Sequence, residues 1–115
     1  MIDELKSLGL DTVSALKFCT GNEEFYTEIL EDFTGPDYNK DEIDETLNAG
    51  DMDNYETMVH ALKSTAKTIG ATGLSEMALK LETAAKSGDM DYINNNHALV
   101  MNEYEALVES IKKLF

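Results

Sequence analysis

Asp53-Asn54-Tyr55-Glu56-Thr57-Met58-Val59-His60-Ala61-Leu62-Lys63-Ser64-Thr65-Ala66-Lys67-Thr68-Ile69 is the stretch that decides the fold. Its apolar residues, Tyr55, Met58, Val59, Leu62, Ala66 and Ile69, recur every three or four positions, the spacing that lines one face of a helix. The opposite face is charged and polar. Gly50-Asp51 in front of it is a stop followed by a cap, and Gly70 ends it. A helix with one apolar stripe is held mainly by what packs on that stripe. The flanking sequence offers partners of the same kind.

Toward the C-terminus, Thr72 is placed to cap a helix over about 73–87, with Leu74, Met77, Ala78, Leu81, Ala84 and Ala85 on its buried face. Gly88-Asp89 repeats the stop-and-cap pair. The last helix then runs to the chain end on Ile93, Val100, Tyr104, Leu107, Ile111 and Leu114. Toward the N-terminus, the acidic segment 37–50 carries Tyr38, Ile43 and Leu47 and reads as a short helix. Gly35-Pro36 stops a helix over 23–33 built on Phe25, Tyr26, Ile29, Leu30 and Phe33, which Asn22 caps. Asp11 caps a shorter one reaching Phe18, whose apolar positions are Val13, Ala15, Leu16 and Phe18. Short connections make consecutive helices antiparallel neighbours. The expectation is one all-α domain over 1–115. It is an antiparallel up-down four-helix bundle at about 37–115, with short additional N-terminal helices within 1–35.

Composition narrows the function classes. The chain has 115 residues, 23 Asp plus Glu against 9 basic residues, and a net charge of -14. Every basic residue is Lys. Nucleic-acid backbones and anionic membranes are held by clustered cations, so both are disfavoured as partners. Met1-Ile2-Asp3-Glu4 carries acid where a signal peptide carries base, and no apolar run is long enough to span a bilayer. The lone Cys19 and 6 Met fit a reducing, cytoplasmic setting.

The two histidines sit in different frames. On a helical wheel, His60 is surrounded by Asp53, Glu56, Lys63, Ser64 and Lys67, opposite the apolar stripe. His97 has Ile93, Asn94, Val100, Met101 and Tyr104 as neighbours and falls on the stripe itself, as a hydrogen-bonded core histidine does. On the wheel alone, His60 is a solvated residue among charge pairs. Chemistry supplies a second reading. A neutral imidazole is a nucleophile near neutral pH. Lys63 and Lys67 would disfavour a second positive charge on the ring and keep it neutral. They could also meet the charge of an anionic group attached to it, which helix-end N–H groups are too far away to reach.

Val59-His60-Ala61-Leu62-Lys63-Ser64-Thr65-Ala66-Lys67-Thr68-Ile69-Gly70-Ala71, followed by Leu74 and Leu81-Glu82, resembles the histidine-containing phosphotransfer (HPt) domain. Gly9-Leu10-Asp11, Leu16-Lys17-Phe18, Gly21-Asn22-Glu23-Glu24-Phe25-Tyr26 and Phe33 are similar to the N-terminal part of freestanding members. The resemblance implies that His60 accepts a phosphoryl group on Nε2 and that Lys63 assists it, while Lys67 rests on the wheel argument. It implies a partner-docking face comprising Ser64, Ala61, Glu56 and Ala71, with a small residue needed at position 64. The implied role is a phosphorelay intermediate, taking the group from a receiver-domain aspartate and passing it to another receiver. Partners would be response-regulator receiver domains, a hybrid sensor histidine kinase, or both, met by a monomer. No Gly-x-x-x-x-Gly-Lys or Gly-x-Gly-x-x-Gly loop is present, so the expectation is a phosphocarrier without an ATP site. It would bind no cofactor, with Mg²⁺ supplied by the receiver.

Rival readings are weaker. Di-iron bundles need Glu-x-x-His twice, whereas Glu56 and His60 are four apart and His97 has Asn94 three before it. Asp51-Met52-Asp53 and Asp89-Met90-Asp91 lack the glycine and terminal Glu of a calcium loop. The Asp-Ser-Leu site of a prosthetic-group carrier is missing. A helical adaptor that docks a signalling partner without phosphotransfer is the serious alternative.

Overall fold

A computed structural model describes residues 1–115 as seven helices and no strand. They are α1 (Ile2–Ser7), α2 (Thr12–Phe18), α3 (Glu23–Thr34), α4 (Lys40–Asn48), α5 (Met52–Thr68), α6 (Thr72–Ser87) and α7 (Met90–Lys112). Local chemistry sets the boundaries. The carboxylates of Asp11, Asp51 and Asp89 accept from the backbone N–H of Ser14, Asn54 and Tyr92, and the Asn22 side chain accepts from that of Phe25. Each cap satisfies a donor that the helix leaves without an internal partner. The expected cap at Thr72 is corrected. α6 begins one residue earlier, with Ala71 in the capping position and no side-chain hydrogen bond there.

α5 and α6 form the central hairpin, antiparallel by the order of their partners. The Ser75 hydroxyl donates to the Lys63 carbonyl at 2.9 Å, and His60 pairs with Glu82 further along α6. The partners of α4 and α7 reverse in the same way, Asp44 with His97 and Asn39 with Tyr104. α3 also joins the core. Phe33 packs on Tyr104, and the Tyr26 hydroxyl donates to the Ile69 carbonyl at 2.8 Å, tying α3 to the end of α5. Burial pushes the Tyr26 hydroxyl up to about 12, so it stays a donor. The apolar stripe of α5 is buried at Tyr55, Val59, Leu62, Ala66 and Ile69, with Met58 half-buried. No helix is long and apolar enough to cross a membrane.

One turn fixes the site helix to the N-terminal part. Gly70 has φ +89, and a Cβ there would lie 2.5 Å from the Asp11 carbonyl oxygen. Only glycine fits the left-handed conformation and the close approach together. The Asp11 N–H donates to the Gly70 carbonyl at 2.8 Å, so α2 starts where α5 ends.

Candidate functional site

His60 lies mid-way along α5 on the face turned from the core, and its side chain is 57% exposed. Beneath it, α6 brings up the carboxylate of Glu82, which is only 3% exposed. His60 Nδ1 approaches Glu82 Oε2 at 2.5 Å, and the Lys63 ammonium donates to Oε1 at 2.8 Å. Lys86, one turn along α6, reaches Oε2 at 3.5 Å. Burial pushes the Glu82 carboxyl up, but hydrogen bonds from Lys63 and His60 and their charges outweigh this and hold it at about 2. An ionised carboxylate can only accept, so Nδ1 carries the proton. In the neutral ring this leaves the lone pair on Nε2. With Nδ1 donating to Glu82, the 3.4 Å approach of Lys63 Nζ to the ring brings together two donors that serve one carboxylate.

This arrangement corrects the expected electrostatics. The charge in contact with the ring is a carboxylate, and Lys63 is already paired with it. Lys67 is exposed and in no ion pair, two turns or about 10 Å along the axis from His60. It therefore does not flank the ring. It stands instead between two surface grooves that also share Ser14 and Ser64. The larger, about 650 Å³, reaches Lys63 and Leu79.

The expected docking residues divide. Ser64 and Ala61 are exposed, and Ala61 borders a cleft with Pro36 and Thr65. Glu56 is half-buried, one turn before His60. Ala71 is corrected: at 5% exposure it belongs to the core, because the Gly70 turn folds it under the end of the bundle.

His97 is the buried, hydrogen-bonded histidine its position on the stripe called for. It is 9% exposed, with Nδ1 2.9 Å from the Tyr55 hydroxyl and Nε2 2.7 Å from Asp44 Oδ1. Lys40 completes this network on Asp44 at 3.0 Å. Both ring nitrogens are engaged, which leaves neither free for chemistry.

Glu82 was missed as a functional residue, although Leu81-Glu82 was among the residues carrying the resemblance. A signal was present. Glu82 follows Ala78 by four on the apolar row of α6, and an acid on a buried row requires partners.

Comparison with known protein families matches residues 23–111 to the Hpt domain. The chain belongs to the Hpt domain family, the histidine phosphotransfer modules of phosphorelays. No curated protein matches the chain, and no solved structure does. The match spans α3 to α7 and leaves out α1 and α2.

Proposed function

We propose that His60 is the phosphoacceptor and that the chain relays the group between receiver domains, taking it from the aspartyl phosphate of one and yielding it to the aspartate of another. The observation that carries this reading is the exposed ring whose Nδ1 is engaged by a buried, ionised carboxylate. In the forward step the Nε2 lone pair attacks phosphorus in line, and the bond to the aspartate oxygen breaks. The carboxylate leaves with the electron pair, and Nδ1 keeps its proton on Glu82. In the return step the N–P bond breaks and the imidazole departs neutral, because Nδ1 is already protonated. Phosphoryl transfer passes through a loose, charged transition state, so positioning and charge do most of the work. Lys63 stands 3.4 Å from the ring, within reach of transferring oxygens after a rotation of its flexible stem. The receiver, or a hybrid kinase carrying one, supplies Mg²⁺.

The test uses a receiver loaded with ³²P-phosphoryl and follows acid-labile label on this chain. Wild type and His97→Gln are expected to accept label and His60→Gln to accept none. Label retained by His60→Gln overturns the assignment. Binding of a receiver without any transfer supports the adaptor reading instead.

A further inference from the structure

Glu82 has more cations than one carboxylate needs. Lys63 donates to Oε1 at 2.8 Å, while His60 Nδ1 and Lys86 approach Oε2 at 2.5 and 3.5 Å. Two ammonium groups facing one carboxylate leave a surplus positive charge, in a chain whose net charge is -14. The two lysines are not held alike. Lys63 is 25% exposed and sits at full hydrogen-bond distance. Lys86 is 60% exposed and stands beyond the usual length of a charged hydrogen bond, so it adds little to the resting fold.

A phosphoryl group arriving on Nε2 changes the demand. Its oxygens attract Lys63, the ammonium 3.4 Å from the ring, away from Glu82. A carboxylate that is 3% exposed has little water to replace that donor, and a buried charge left short of partners is costly. Held by Nδ1 alone, it competes for the ring proton that lets the imidazole depart neutral in the return step. Lys86 is placed to take over. It follows Glu82 by one turn of α6, and helical side chains lean toward the preceding turn, so its stem already runs toward Oε2. It needs to close only from 3.5 to 2.8 Å to match the bond that Lys63 gives up.

We propose that Lys63 and Lys86 form an exchange pair on Glu82: Lys63 follows the phosphoryl group, and Lys86 replaces it on the buried carboxylate, so that His60 keeps its proton on Nδ1 in both directions of transfer. This rests on the reading of His60 as phosphoacceptor. Neither lysine makes or breaks a covalent bond, and both ammonium groups keep their protons. Lys86 is a positioning residue, because it acts on the reacting ring only through Glu82.

The experiment measures transfer to the full chain from a receiver domain carrying ³²P-phosphoryl on its aspartate, over a range of receiver concentrations. Lys86→Ala is expected to lower the saturating rate about tenfold, with the half-maximal concentration and the Tm at pH 7 little changed. Lys86→Arg, which keeps the charge and the reach, restores the rate. Lys80→Ala, which removes an exposed lysine of α6 that is in no ion pair, leaves both parameters as they are. The decisive arm uses Glu82→Gln, in which no buried charge remains to be paired. In that background Lys86→Ala is expected to change the saturating rate by less than about twofold. A loss that persists undiminished there places Lys86 on the phosphoryl group itself and overturns the exchange. A saturating rate for Lys86→Ala within about twofold of wild type, or a loss confined to the half-maximal concentration, overturns it too. Each of these outcomes leaves label on His60 and the phosphoacceptor reading intact. Wild type that takes no label on His60 overturns both.

Discussion

Glu82→Gln removes one charge and almost no volume from beneath the His60 ring, and its consequence for stability can be worked from the structure. The Glu82 carboxyl is held at about 2 in the folded chain against 4.5 for an ordinary glutamate. A displacement of that size corresponds to about 3 kcal/mol of pH-linked stabilisation. His60 and Lys86 are 57% and 60% exposed, and water screens their share. About 1–2 kcal/mol is expected to remain. The folded-state value lies below the unfolded one, so this contribution is complete above pH 4.5 and fades as pH falls toward about 2. In a domain of this size the substitution is expected to lower the Tm by about 4–10 °C at pH 7. Thermal melts of wild type and variant followed by circular dichroism at a series of pH values should show the gap closing toward pH 2. Equal Tm values at pH 7, or a gap that persists undiminished to pH 2, would refute the reasoning, because the carboxylate would then not be held by its cations.

Three further substitutions test the frame that presents the site. Gly70→Ala combines a left-handed backbone with a contact 2.5 Å from the Asp11 carbonyl, so it should cost about 3 kcal/mol or more in urea unfolding. Gly88→Ala has φ +71 but open space around the Cβ, and about 1 kcal/mol is expected; equal costs would show that the α2–α5 junction is not tight. Asp44→Asn weakens the bonds to His97 and Lys40 and should cost about 1 kcal/mol. Burial pushes the Asp44 carboxyl up, but hydrogen bonds from His97 and Lys40 hold it below the usual range, so the loss should diminish as pH falls through that lowered value. Phosphoryl acceptance should be unaffected, and reduced acceptance in a well-folded Asp44→Asn would tie this network to the site.

The contrast between the two histidines was legible in one dimension because helix periodicity alone decides it. His60 faces away from the stripe containing Tyr55, Val59 and Leu62, and His97 lies on the stripe of Ile93, Val100 and Tyr104. The caps at Asp11, Asn22, Asp51 and Asp89 were legible for a similar reason, since a cap and the amide it satisfies are neighbours in sequence. What periodicity does not contain is the register between helices. The ring of His60 meets Glu82 because α5 and α6 pair antiparallel with Lys63 opposite Ser75, and a wheel drawn for α5 has no place for a residue of α6. That is why Lys63 and Lys67 looked equivalent beside the ring. In the structure one is drawn onto Glu82, while the other stands two turns away over a groove. Ala71, expected on the docking face, is buried for a related reason, because the turn at Gly70 sets its burial. Val13 and Phe18, counted with Ala15 and Leu16 as apolar positions of α2, are both 60% exposed. A helix of 7 residues has too few turns for its stripe to fix which side faces the core.

The account stands on one nitrogen of one ring. Long-range ¹H–¹⁵N correlation spectra of the phosphorylated chain report which imidazole and which nitrogen carry phosphorus and where the remaining proton sits. The expected spectrum has the phosphoryl group on Nε2 of His60, a proton on Nδ1, and an unaltered His97. Phosphorus on Nδ1, or on His97, would contradict it.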